Sequence, residues 1–215
     1  MPLRVVLLGP PASGKGTQGR QLAEALGLAY LSTGALLREQ MENGTELGKK
    51  AEPILARGEY LPDALMSPIA ADWLSRHDGG WVLDGFPRSL PQAAFLDAWL
   101  ADRQWAIDHA ISLEVPADEL IARIQDRVEC PSCRRTGQRA ELVSSGNCPH
   151  CGGAAGPRAD DSEENFRSRY AEFIVHTVPV IDHYREKGQL SACDATAPQD
   201  EVAARLLHLF SGKPA

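Results

Sequence analysis

The sequence predicts an α/β fold built on a doubly wound parallel sheet of about five strands, with one small cysteine-rich insertion. Two observations predict the sheet: short runs rich in leucine and β-branched residues recur along the chain, and stretches of helical length separate them. Strands that alternate with helices form parallel sheets with right-handed crossovers. A chain of 215 residues can bury one substantial core, so we expect one main domain with room for insertions.

The predicted elements follow in order from the N-terminus. The first strand, residues 4–8, is apolar along most of its length, as expected for a strand buried on both faces, and Gly9 closes it. The helix that follows is expected to stop at Gly27. Strands are predicted at residues 4–8, 28–31, 81–83, 110–115 and 190–193. Helices are predicted at about residues 16–26, 36–42, 47–57, 63–76, 91–100, 117–127, 163–185 and 200–210.

Composition and charge narrow the class of protein. Apolar residues make up 43% of the chain and charged residues 24%, which is ordinary for a globular protein. No apolar run approaches the roughly 18 residues of a membrane span, and the apolar run that ends at Leu8 is too short for a secretory signal. We therefore expect a cytoplasmic protein without membrane partners. The net charge of −7 argues against nucleic-acid binding, but not against a small anionic ligand.

A glycine-rich loop joins the first strand to the first helix, with the sequence Gly-Pro-Pro-Ala-Ser-Gly-Lys-Gly-Thr from residue 9 to residue 17. In such a loop several backbone N–H groups and the helix dipole face one point, and Lys15 adds a cation for the outer phosphates. A turn that is glycine-rich by chance is disfavoured by the Gly-x4-Gly-Lys spacing in this context. The sheet is therefore expected to be of the P-loop NTPase type, with ATP bound by Gly9, Ala12, Ser13, Gly14, Lys15, Gly16 and Thr17.

The Gly-Lys-Gly-Thr ending of this loop resembles the nucleoside monophosphate kinases. Three further segments carry the same resemblance: Ser-Thr-Gly-Ala-Leu-Leu-Arg at residues 32–38, Leu-Asp-Gly-Phe-Pro-Arg at residues 83–88, and Pro91-Gln92. In combination these motifs are most similar to adenylate kinase, and the resemblance extends from residue 3 to about residue 194.

The chain departs from the family pattern at three places. Ala12 stands where glycine is common, and Ala35 stands where an acidic residue is common. A β-carbon at residue 12 costs about 1 kcal/mol if that position needs φ > 0. Thr136-Gly137 stands where the family's lid often has an aromatic residue, so nucleotide stacking is not expected there.

Two arginines in the matched segments suit a phosphate ligand. Arg38 and Arg88 carry planar forks that make bidentate phosphate contacts, although either one alone could form a surface salt bridge. Asp84 ends a buried strand at its carboxyl edge, where it could order the water shell of Mg²⁺. The resemblance implies that Gln92 recognises the adenine edge. The residues it implies for AMP are Thr33, Arg38, Glu59, Tyr60, Leu61, Gly85, Phe86, Pro87, Arg88, Gln92, Arg158 and Arg169.

The cysteine-rich insertion predicts a metal site. Cys130-Pro-Ser-Cys133 and Cys148-Pro-His-Cys151 form two Cys-x-x-Cys pairs separated by fourteen residues. Two such knuckles place four thiolates around one tetrahedral ion and leave no open coordination position, which is typical of structural zinc. Unliganded cysteines or a redox pair are the alternative, which is disfavoured by this spacing.

Arginines lie on both sides of the insertion. By the resemblance, the insertion is a mobile lid in which Arg123 and Thr136 contact ATP, while Arg127, Arg158 and Arg169 surround the transferring phosphoryl group. Phosphoryl transfer depends on positioning and positive charge rather than on a protein nucleophile. The catalytic set is therefore predicted to be Lys15, Asp84, Arg88, Arg127, Arg158 and Arg169. Asp160 and Asp161 could pair with lid arginines or cap the following helix, and we prefer the cap.

The function implied is reversible phosphoryl transfer from Mg·ATP to AMP, giving two ADP, by a monomer. UMP, CMP or GMP could replace AMP as acceptor, and a non-catalytic nucleotide-gated adaptor with zinc knuckles is a further alternative. The predicted core comprises residues 1–31, 62–128 and 161–215. The monophosphate-binding insertion is residues 32–61, and the zinc lid is residues 129–160.

Overall fold

The central sheet has five parallel strands, as the sequence predicts. A computed structural model of the chain describes residues 2–142, 147–158 and 161–211. The strands of the sheet are β1 (Arg4–Leu8), β2 (Ala29–Ser32), β3 (Trp81–Asp84), β4 (His109–Glu114) and β8 (Leu190–Asp194), in the spatial order β2-β3-β1-β4-β8. All four pairings between neighbours are parallel. Because the order reverses direction at β1, the loops that leave β1 and β3 open side by side at the carboxyl edge.

Helices connect the strands and cover both faces of the sheet. They are α1 (Lys15–Leu26), α2 (Thr33–Glu42), α3 (Glu46–Ala56), α4 (Asp63–Leu74), α5 (Leu90–Ala101), α6 (Ala117–Asp126), α7 (Arg139–Leu142), α8 (Glu163–Glu172), α9 (Val178–Glu186) and α10 (Gln199–His208). Within the described parts of the chain, no helix combines the length and the apolar character needed to cross a membrane.

The alternation of side chains along β1 divides the core in two. Successive residues of a strand point to opposite faces. Val5 and Leu7 pack with residues of α1 and α10, whereas Val6 and Leu8 pack with residues of α2 to α5 and α9. All four side chains are almost completely buried, which explains why this segment is apolar rather than alternating.

The long helix predicted at residues 163–185 is divided in the structure. A π-helical turn, Phe173–Thr177, separates α8 from α9. Pro179 lies just after this turn, and proline has no N–H to donate and clashes with the carbonyl four residues earlier. The wider turn accommodates that proline without ending the helix.

The lid segment forms a sheet of its own. Strand β5 (Arg127–Glu129) pairs antiparallel with β6 (Thr136–Gln138) and β7 (Gly156–Pro157). Among the lid residues that the structure describes, the buried apolar side chains are few: Val128, Cys130 and Cys148 form a separate small cluster. So small an apolar core cannot by itself stabilise an independent unit.

Helices α2 and α3 form a tight hairpin that carries the segment predicted to bind the acceptor. Gly48 in α3 lies against the backbone at the end of α2, and a β-carbon there would come within 2.1 Å of the carbonyl oxygen of Gln40. Any larger residue at position 48 must therefore push the two helices apart.

We expect Gly48→Ala to lower the free energy of unfolding by about 1–3 kcal/mol, since the added methyl group meets backbone that cannot move aside. Gly79→Ala is the matched control, because a β-carbon at Gly79 has open space around it. Urea unfolding of both variants measures the difference. Equal stabilities would contradict the tight contact.

Candidate active site

A cleft of about 1310 Å³ opens at the carboxyl ends of β1, β2 and β3, between the sheet, the α2–α3 hairpin and the lid. Ligands of open parallel sheets bind in this position. Most of the predicted site residues line it. They are Gly9, Ala12, Ser13, Gly14, Lys15, Gly16, Thr17, Arg38, Glu59, Tyr60, Asp84, Gly85, Pro87, Arg88, Arg123, Arg127, Thr136, Arg158 and Arg169.

The phosphate loop joins β1 to the N-terminus of α1 as predicted. Gly14 has φ = 92°, and a β-carbon at Gly9 would lie 2.7 Å from the carbonyl oxygen of Leu113. Ala12 has φ = 64°, in the left-handed region that favours glycine, so the alanine at this position is strained. The loop adopts its left-handed turn at residue 12 without glycine, at a cost of about 1 kcal/mol.

The ammonium group of Lys15 is held at the mouth of the loop. Its Nζ donates to the carbonyl oxygens of Gly9, at 2.8 Å, and Pro10, at 2.7 Å. Burial lowers the pKa of Lys15 to about 8, opposed by Asp84 and assisted by the positive charges of Arg88 and Arg127. Because burial destabilises the charged form of Lys15, an anionic ligand beside its Nζ would stabilise that form strongly.

The side chains of Asp84 and Thr136 both lie close to Gly16, in the first turn of α1. A β-carbon at Gly16 would lie 3.8 Å from Oδ2 of Asp84 and 3.6 Å from Oγ1 of Thr136. The Thr17 hydroxyl donates to the Thr136 carbonyl at 2.9 Å, which ties the lid to the loop. The Tyr30 hydroxyl donates to Asp84 Oδ2 at 3.1 Å, and burial together with this carboxylate raises the pKa of Tyr30. Sequence reasoning did not select Tyr30, because no motif surrounds it.

Gly85 and its neighbours position Arg88. Gly85 has φ = 82°, and a β-carbon there would lie 2.5 Å from Oγ1 of Thr33 and 2.8 Å from Nη2 of Arg88. The Thr33 hydroxyl and Nε of Arg88 both donate to the Gly85 carbonyl, at 2.9 Å and 2.8 Å. The Arg88 guanidinium lies 4.5 Å from the centroid of the Tyr60 ring. Only glycine allows Thr33 and Arg88 to approach the same carbonyl so closely.

Four of the residues predicted to bind AMP lie behind the cleft wall and not on its surface. Thr33, Leu61, Phe86 and Gln92 are each at most 5% exposed. Gln92 supports the wall: its Oε1 accepts from the Arg88 backbone N–H at 2.8 Å, and its Nε2 donates to Asp63 at 2.7 Å.

Three arginines in and beside the lid share a buried carboxylate. Asp161 accepts two hydrogen bonds from Arg127, through Nε and Nη2, and the side chains of Arg158 and Arg169 lie 3.9 Å and 4.0 Å from its Oδ1. The preference for Asp161 as a helix cap is wrong, since Ser162 caps α8 by accepting from the Asn165 N–H at 3.1 Å. Asp160 lies outside the described residues.

Arg123 is directed towards the end of β8. Its Nη2 donates to Glu119 at 2.5 Å and to the carbonyl of Ala195 at 2.7 Å. Its side chain lines the cleft, as do residues 195–199.

Comparison with known proteins decides the family. The family model described as adenylate kinase matches residues 7–189. The chain belongs to the adenylate kinase family. Among similar proteins, the adenylate kinase of Thermodesulfovibrio yellowstonii is 40% identical over 93% of this chain and 95% of its own length. That of Paracoccus denitrificans is 38% identical over the full length of both chains, and that of Methanothrix thermoacetophila is 39% identical over 97% of this chain and 99% of its own.

Membership of the adenylate kinase family makes the protein a nucleotide-binding kinase, which is an enzyme of the transferase class. The phosphate loop, the α2–α3 hairpin and the lid of this enzyme face one cleft. Glu129, which lines that cleft, was not selected from the sequence. The only available signal was its place between Arg127 and Cys130.

The four clustered cysteines of this adenylate kinase-family chain are brought together. Their sulfur atoms all lie within 4.8 Å of one another, including Cys130–Cys151 at 3.5 Å and Cys133–Cys148 at 3.6 Å. A tetrahedral ion with metal–sulfur bonds of about 2.3 Å separates its ligands by about 3.8 Å, so the thiols fit one metal ion.

Both cysteine knuckles have the same turn. The residue after each second cysteine donates its N–H to the first cysteine's carbonyl, Arg134 to Cys130 at 2.7 Å and Gly152 to Cys148 at 2.8 Å. Both residues have positive φ, 58° at Arg134 and 74° at Gly152. Arginine therefore occupies a position at which glycine is unstrained.

The lowered pKa of Lys15 predicts the pH dependence of ATP binding. Below pH about 8 the ammonium is charged in the nucleotide-free protein, and above it the cation is lost, so the affinity for ATP should fall as pH rises from about 8 to 9.5. Calorimetric titration across this range measures the fall. Lys15→Arg is the control, because a guanidinium keeps its charge throughout; an ATP affinity of the native protein that stayed constant to pH about 9.5 would contradict this role for Lys15.

Proposed function

We propose that this protein transfers the terminal phosphoryl group of Mg·ATP to AMP, giving two ADP, and catalyses the reverse reaction. The observation that carries the proposal is the convergence of cations on one cleft: Lys15 from the phosphate loop, Arg38 and Arg88 from the acceptor side, and arginines from the lid. The names of the similar proteins, all adenylate kinases, support AMP as the acceptor.

The proposed step needs no protein nucleophile. An oxygen of the AMP phosphate attacks the γ phosphorus, the bond from that phosphorus to the β–γ bridging oxygen breaks, and ADP leaves. Lys15 and Arg88 would hold the two reacting phosphates in line, and Arg127, Arg158 and Arg169 would neutralise charge on the equatorial oxygens. Bound with ATP, Mg²⁺ would neutralise β and γ oxygens, and Asp84 would hold its water ligands.

The lid would exclude water from this step. Thr136 accepts from Thr17, and Arg135 on the lid pairs with Glu24 of α1 at 2.7 Å, so the lid rests on the first helix of the core. A kinase that left ATP open to water would hydrolyse it.

A panel of acceptors tests the proposed function. Purified protein with Mg·ATP is given AMP, GMP, UMP or CMP in turn, and ADP formation is followed by a coupled assay. We expect AMP to be preferred. A preference for another monophosphate would move the protein to a different acceptor class, and ATP binding without transfer to any of them would support the non-catalytic adaptor.

Arg88→Ala should raise the acceptor KM and lower kcat by about 100-fold or more, because the fork positions the attacking oxygen as well as binding it. Arg167→Ala is the matched control, as Arg167 pairs with Glu163 on the exposed face of α8. Steady-state kinetics with AMP separates the two parameters. Unchanged values in Arg88→Ala would remove this residue from the acceptor site.

We also propose that the metal held by the four cysteines is structural zinc. Four sulfurs complete a tetrahedral shell, so the ion has no open position at which to activate water or phosphate. The small cluster around Val128 offers little apolar burial, so the ion would supply most of the lid's local stability.

Cys148→Ser should lower the metal content and melting temperature and make the lid more sensitive to protease, while some transfer survives at low temperature because Lys15, Arg38 and Arg88 lie outside the lid. Cys193→Ser, on β8, is the control for loss of one thiol. Atomic absorption, calorimetry and assays well below the melting point provide the measurements. Loss of all activity at an unchanged melting temperature would contradict a structural role.

The cytoplasmic location, the monomeric state and the absence of nucleic-acid and membrane partners stay predictions from the sequence.

A further inference from the structure

A second buried carboxylate lies among the arginines of the cleft. Glu129 is the last residue of β5, its side chain is 8% exposed, and it lines the cleft. Its Oε2 lies 3.4 Å from Nη2 of Arg38 and 3.5 Å from Nε of Arg158, and its Oε1 lies 3.6 Å from Nη1 of Arg134. Residue 38 is on α2, whereas residues 134 and 158 belong to the lid. Glu129 thus joins the lid to the acceptor hairpin, in addition to the ion pair between Arg134 of the lid and Glu42 of α2.

The ion pairs of Glu129 are longer than expected for a carboxylate that is almost completely buried. Charge-assisted hydrogen bonds between a guanidinium and an oxyanion are about 2.7–2.9 Å long. The hydrogen bond from Arg127 Nε to Asp161 has a length in this range, at 2.7 Å. The guanidinium nitrogens around Glu129 lie 3.4–3.6 Å from its carboxylate oxygens. The Oε2 atom of Glu129 is buried and accepts no hydrogen bond from the described residues. Its ion pairs are therefore weaker than those that a phosphate oxygen could make with the same arginines.

We propose that Glu129 is a resident anion that occupies the place of a phosphate, holding the lid arginines close to Arg38 before nucleotide binds and competing with nucleotide phosphates for them afterwards. This inference rests on the proposed function, because it takes the cleft to be a phosphate site. Glu129 is a positioning residue: it acts through the arginines and contacts no reacting atom.

Two consequences follow from the charge of this carboxylate. Without it, the repulsion between Arg38 on the hairpin and Arg158 on the lid is no longer offset by Glu129, although Arg134 keeps its ion pair with Glu42, so the nucleotide-free lid should open more often. A phosphate that arrives in the cleft no longer displaces a carboxylate or meets its repulsion, so phosphate affinity should rise.

Glu129→Gln tests both consequences, because it removes the charge and keeps the shape. Binding of inorganic triphosphate and of ATP to the metal-loaded protein is measured by calorimetry at low salt. We expect both to bind about threefold or more tightly to Glu129→Gln than to the native protein, with the gain shrinking at high salt. Amide hydrogen exchange in the nucleotide-free lid should be faster.

Two variants separate this effect from general damage to the lid. Glu129→Asp keeps the charge and should bind triphosphate within about twofold of the native protein. Glu24→Gln removes a different lid-to-core ion pair, the one with Arg135, and should leave triphosphate affinity unchanged. Equal metal content and melting temperature across the set confirm that Cys130, the next residue, still holds its ion.

A triphosphate affinity in Glu129→Gln equal to or below the native value would overturn the inference. The acceptor does not enter this measurement, so its outcome is independent of the identity of the monophosphate. If the variant bound triphosphate more tightly but the native protein transferred nothing to AMP, the proposed function would fail and the role of Glu129 would stand.

Discussion

The crowding of positive charge at one edge of the sheet is the constraint on which the rest of the structure depends. Lys15, Arg88 and the lid arginines all face one cleft, and like charges at such distances repel unless anions separate them. Buried carboxylates supply that compensation: Asp84 beside the phosphate loop, Asp161 among the lid arginines, and Glu129 between lid and hairpin. These carboxylates offset part of the positive charge that a bound phosphate would otherwise have to neutralise.

This constraint also explains the close packing of the surrounding backbone. Cations can be placed around a phosphate only if the segments that carry them do not move apart. Gly85 brings Thr33 and Arg88 onto one carbonyl oxygen, and Gly48 closes the hairpin that carries Arg38. On the lid side, where the apolar burial of the described residues is small, four thiols lie in one cluster that fits a metal ion. Glycine thus allows close backbone packing beside the sheet and in the hairpin, and cysteine supplies a cluster of thiols in the lid.

Local sequence predicted those elements for which local rules are strong. The strands of the sheet appear at or within a residue or two of their predicted positions, because buried parallel strands are continuously apolar, and the phosphate loop lies where a strand is followed by Gly-x4-Gly-Lys. The helix predicted over residues 163–185 forms, with a π turn just before Pro179, whereas the local rule failed at Asp161, where Ser162 takes the cap and the carboxylate is drawn to Arg127. There a neighbouring residue outweighed the propensity.

The sequence by itself determined the fold class, the phosphate loop, the acceptor motifs and the pairing of cysteine knuckles, because each depends on residues close together in the chain. Only the tertiary structure decided which charges meet. Arg38 is 91 residues from Glu129 in sequence, and its approach to Glu129 depends on the lid lying over the hairpin, whereas Arg134 and Arg158 reach Glu129 within the lid itself. Electrostatic interactions act through distance in space, and no spacing rule along the chain encodes them.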